Sequence, residues 1–67
     1  MRTRIELTFS SGKFIAFPNV ITSSIHYNKG DLCFLVDHPE YGTDKVIVKM
    51  DKIDFVEYFE DKRDKTE

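Results

Sequence analysis

Cysteine is almost missing: Cys33 stands alone, so no disulfide can close within the chain. A structural zinc is poorly served too, because such sites usually take four Cys and His ligands and one Cys with two His falls short. No stretch approaches the ~20 apolar residues that a membrane span needs. Residues 1–9, MRTRIELTF, alternate polar and apolar, without the apolar run and small-residue cleavage site of a secretory signal. With a lone thiol and no such signal, the expected location is a reducing cytoplasm. Charge of one sign is lacking as well. Ten basic and twelve acidic residues leave a net charge of −2, which argues against sequence-independent DNA binding, where affinity comes from neutralised phosphates. A Gly-rich phosphate loop, a nucleophile elbow and a paired-cysteine motif are all absent, and no enzyme activity and no cofactor are expected.

What the chain does have is aromatic side chains, six Phe and three Tyr in 67 residues. One domain of this size buries only ~60% of the surface its unfolded form exposes. Without a covalent staple it needs a dense core, a partner, or both.

The clearest pattern is Lys45 to Phe59, KVIVKMDKIDFVEYF. Val46, Val48 and Met50 alternate with Lys45, Ile47 and Lys49, as in a strand with one buried side. Asp51-Lys52 interrupts, and Ile53 to Phe59 resumes with β-branched and aromatic types that suit a pleated surface. A rival reading starts a helix at Asp51, with Ile53, Val56 and Phe59 on one side. Its apolar residues would spread over more than half the circumference, and their types are weaker helix formers.

Upstream, Ile5, Leu7 and Phe9 alternate with polar residues. Ser10-Ser11-Gly12-Lys13 reads as a turn, and Phe14 to Phe17 as the returning strand. A two- or four-residue loop sets Phe9 opposite Phe14 and Leu7 opposite Ala16, which turns Ile15 and Phe17 to the other face. Pro18 is expected to end that strand, since it cannot donate to a ladder. Val20 to Tyr27 is the third strand, Asn28-Lys29-Gly30-Asp31 a turn, and Leu32 to Asp37 the fourth strand. Tyr27 then faces Leu32, and Ile25 faces Phe34, with Cys33 and Leu35 turned outward beside Ser24 and His26. Residues 38–44, HPEYGTD, form the longest break, punctuated by Pro39 and Gly42. Residues 60–67, EDKRDKTE, mix both charges with no apolar residue and read as a disordered tail after a single domain over 1–59.

The fold class expected is all-β: a small antiparallel meander of five or six strands forming a strongly bent sheet or open barrel. A β-rich chain whose last strand follows a turn of the Met50-Asp51-Lys52-Ile53 kind resembles SH3-like and Sm-like small barrels in shape and order. The resemblance implies a short helical turn before a closing strand. Residues 7–13, LTFSSGK, with Phe17-Pro18-Asn19-Val20 also look similar to small uncharacterised proteins of Gram-positive bacteria and their phages.

Three sets of residues carry functional expectations. Ile15, Phe17, Cys33, Leu35 and Ile47 fall opposite the main core set, and a second apolar face marks an interface. A sheet curled to enclose both faces, or a C-terminal segment laid over the second, would also account for them. Otherwise they point to a homo-oligomer and a protein partner, one that this chain would sequester as an accessory factor. Asp37, His38, Glu40, Tyr41 and Asp44 form a possible ligand loop, though no spacing there matches a known metal loop and no metal is expected. The third set, Lys13, Lys29, Lys45, Lys49 and Lys52 with Phe17, Tyr27 and Tyr41, offers rings beside positive charge. That supports the alternative of a nucleic acid or nucleotide ligand. His26 opposite Cys33 matches a nucleophile pair only in residue type, and packing explains Cys33 better.

Overall fold

The computed structural model describes residues 2–61, the last of them by its backbone alone. Six antiparallel strands form one strongly curled, open half-barrel: β1 Arg2–Phe9, β2 Phe14–Ile21, β3 His26–Asn28, β4 Asp31–His38, β5 Gly42–Lys49 and β6 Ile53–Asp61. Short 3-10 turns, Thr22–Ser24 and Met50–Lys52, join β2 to β3 and β5 to β6. The last element is a strand, so the rival helix from Asp51 is not formed. β6 runs on to Asp61, past the boundary expected at Phe59, and the rest of the expected tail, 62–67, lies outside the described residues.

β5 pairs with β4 along all of Asp31 to His38. The other side of β4 is shared between β3, at Asp31 to Cys33, and β2, at the single pair Val20–Val36. β2 pairs with β1, and β1 with β6, so β3, β5 and β6 each pair on one side only, and of these β5 and β6 are the long ones.

The β3–β4 register is the one expected, Tyr27 opposite Leu32, because Lys29 and Gly30 both take positive φ in a two-residue turn that matches strand twist. The first hairpin differs. Its loop holds three residues, with the Gly12 N–H bonded to the Phe9 carbonyl at 2.9 Å and the Phe9 N–H to the Lys13 carbonyl at 2.8 Å. Gly12 at φ 95° makes this the turn-plus-glycine-bulge form. Leu7 therefore faces Ile15, Ile5 faces Phe17, and Thr8 faces Phe14. A slip of one residue exchanges the faces. Ile15 and Phe17 thus belong to the inner face, and Phe14, expected inside, is outside and 57% exposed.

Pro18 does not end β2. Between the pairs Thr3–Val20 and Ile5–Phe17, two residues of β2 stand against one of β1, and Asn19 turns through φ 60°. Pro18 sits in this bulge, where no ladder donor is required. The strand expected over Val20 to Tyr27 is broken instead by the Thr22–Ser24 turn. There the Ser24 hydroxyl stands in for a missing strand: it accepts the Leu35 N–H at 2.9 Å and donates to the Ile21 carbonyl.

The inner face closes over Ile5, Leu7, Val20, Leu32, Phe34, Val36 and Val48, with Phe9, Phe17, Ile25, Val46, Met50, Ile53 and Val56 packed around them. Phe17 meets Phe34 edge to face, ring centroids 5.2 Å apart. Each fully buried side chain of this kind contributes about 1.5–3 kcal/mol. Main-chain bonds tie the ends of the curl, Met50 N–H to the Gly30 carbonyl and Ser10 N–H to the Lys52 carbonyl.

Candidate functional site

The five expected interface residues fall into two groups. Phe17 packs in the core margin, and Ile15 lies on the same inner face, 40% exposed at its rim. Cys33, Leu35 and Ile47 are on the outer face of β4 and β5, as expected. Cys33 faces His26 on one side and Ile47 on the other, and Leu35 faces Lys45. Cys33 is buried there and Leu35 half-buried, while Ile47 is 57% exposed. Cys33 and Leu35 floor an open cleft of about 370 Å³, lined also by Ser23, Ser24, His26, Phe34 and Lys45. Among the described residues no hydrogen bond joins His26 to Cys33. The His26 ring donates from Nδ1 to the Ser24 carbonyl at 2.8 Å.

The expected ligand loop does not converge on one point. Alternate residues of a strand face opposite ways, and Asp37 turns outward to accept Nη2 of Arg2 at 2.8 Å. His38 turns the other way, its Nε2 3.1 Å from Asp44 and its ring 6.2 Å from that of Tyr41. Glu40 and Tyr41 are exposed at the tip. Among the described residues no three His, Cys, Asp or Glu side chains come together around a common metal position. Of the expected basic and aromatic set, Lys29 and Lys49 share a shallow basin with Asp31 and Asp51, so that acids stand among these lysines.

Two further surfaces lie outside these expectations. On the outer face of β2, β1 and β6, Phe14, Thr8 and Phe55 stand in one row. Two rows along, Phe59 stands opposite Arg4, and Glu6 and Glu57 face each other between the rows. Phe14, Phe55 and Phe59 are 57%, 65% and 44% exposed. Arg4 Nε is bonded to Glu6 at 2.7 Å, while Glu57 has no ion pair among the described residues. A three-residue reading of the loop Ser10 to Gly12 would have exposed Phe14 from sequence.

The second surface is the mouth of the curl. Tyr27 of β3 and Tyr58 of β6 reach across it and share a hydrogen bond, oxygens 2.7 Å apart. Partial burial raises the Tyr58 hydroxyl above the ordinary phenol range, and the bond and charge repulsion from Tyr27 add to the shift. No helix of the described residues is long and apolar enough to cross a membrane. No protein-family model, curated protein or solved structure matches the chain.

Proposed function

We propose that the protein is a non-enzymatic binding module whose ligand is another protein, acting as a small oligomer. One observation carries the reading: among the described residues, eight large apolar side chains are at least 40% exposed, on both faces of the sheet. Scattered exposed apolar residues are ordinary, but rows of them are a feature of interfaces. The row Phe14–Thr8–Phe55 is the surface best suited to the partner. Its rings are rigid, contribute large area on burial, and are left more than half exposed by the described residues around them.

Phe14→Ser with Phe55→Ser tests this. A tagged wild-type chain should retain a defined partner that the double variant, with an unchanged circular dichroism spectrum, releases. Equal retention by both would move the binding surface elsewhere, and no retention by the wild type would remove the reading.

A nucleic acid ligand is the weaker alternative. Rings such as Phe55 could stack on bases, but Asp54 and Glu57 flank that ring and repel phosphate. Fluorescence anisotropy with a single-stranded oligonucleotide at low salt separates the two, because phosphate-driven binding should then be at its strongest.

A further inference from the structure

We propose that copies of this chain associate head to tail, the free side of β5 in one copy pairing with the free side of β6 in the next. This pairing rests on the oligomer reading above and names the strands that carry it.

The long strands with a free side are β5 with eight residues and β6 with nine, against only three in β3. Each presents a row of main-chain donors and acceptors that invites another strand, and charged side chains decide which strands are admitted. The charges are sorted by strand. The acids Asp54, Glu57, Glu60 and Asp61 lie on β6 with no base among them. On β5, Lys45 and Lys49 flank Ile47 on the outer face. The one acid of β5, Asp44, lies on the inner face beside His38. The outer face of β5 thus reads Lys-Ile-Lys, and that of β6 reads Phe-Glu-Phe.

Like strands repel. β5 against β5, centred on Ile47, would set Lys45 opposite Lys49, and β6 against β6, centred on Glu57, would set that carboxylate against itself. Like charges directly opposite are destabilising. Unlike strands fit. Because β5 and β6 run the same way within the sheet, outer face continues into outer face when the two pair in parallel, and with Ile47 beside Phe55, Lys49 falls beside Glu57. Neither Lys49, which faces Asp31 across β4, nor Glu57 has an ion pair among the described residues. Within its own chain Glu57 faces only Glu6, whose carboxylate Arg4 already occupies. Association would therefore relieve the unanswered charge of Glu57 as well as cover Ile47 and Phe55. A contact between two different surfaces closes into a ring or runs on as a filament.

Light scattering on Lys49→Glu, on Glu57→Lys, on their equimolar mixture and on the doubly exchanged chain tests the idea. The wild type should associate at tens of micromolar, and each single variant should raise the dissociation constant about tenfold or more. The mixture and the doubly exchanged chain should both regain association, because each restores opposite charges across the contact. Circular dichroism confirms folding, and if one single variant fails to fold, the other and the doubly exchanged chain still decide the matter. A monomeric wild type would overturn the oligomer reading itself. Single variants that associate normally, or an exchange that fails to restore association, would leave the oligomer standing and overturn this pairing.

Discussion

Single side chains do the work of missing backbone in this domain. Ser24 is the plainest case, since its hydroxyl holds the Leu35 N–H where β2 and β3 part from β4. Ser24→Ala should lower stability by about 1–3 kcal/mol in urea unfolding, the usual cost of leaving such a donor unmet. Tyr58 gives a pH signature. Its hydroxyl titrates above the ordinary range in the folded chain, so its contribution to stability is complete below the unfolded value of about 10 and is lost as pH rises beyond it. Absorbance at alkaline pH should show one tyrosine ionising after the others. In Tyr58→Phe that late step should vanish and stability should fall less steeply with rising pH. The face of one residue also settles what a mutation tests. Phe17 touches Phe34 inside the curl, so Phe17→Asp should unfold the domain in a thermal melt rather than merely separate subunits.

At the level of strands and turns, the readable parts of the chain are those whose local chemistry admits one solution. Lys29-Gly30 permits a two-residue turn, and the β3–β4 register follows from it. Alternation in Val46, Val48 and Met50 marks the inner side of β5, and Asp51-Lys52 marks a turn that the structure shows as 3-10. The first hairpin departs from expectation because Ser10-Ser11-Gly12-Lys13 fits loops of two, three or four residues, and parity decides the faces of Ile15 and Phe17. Pro18 misleads for a related reason: a proline marks a strand end only when its position needs a donor, and the bulge at Asn19 removes that need. The candidate surfaces inherit these errors, which is why the Phe14–Phe55 row is not legible in the sequence. Asn19 itself offers a check. A β-branched residue in the left-handed region costs about 1–2 kcal/mol, so Asn19→Val should lower the melting temperature while Asn19→Gly leaves it nearly unchanged.

For the whole molecule, stability is expected to be small, since domains have roughly 0.05–0.15 kcal/mol per residue in hand. The core sits under a sheet curled on one side only, and the outer rings face solvent. The seam between β2 and β4 is a single residue pair, so the sheet consists of two sturdier wings, β6–β1–β2 and β3–β4–β5.

The pairing of β1 with β6 has a bearing on synthesis. Of the six strands β1 is made first, yet its neighbour on one side, Ile53–Asp61, is made last of the six. Translation at about 5–20 residues per second leaves that side of β1 bare for seconds, far longer than strands need to find each other once both exist. Ile5 and Leu7 are sheltered meanwhile by β2 and the core residues of β4 and β5 but not by β6, and a nascent chain stalled before residue 53 should be a ready client for chaperones.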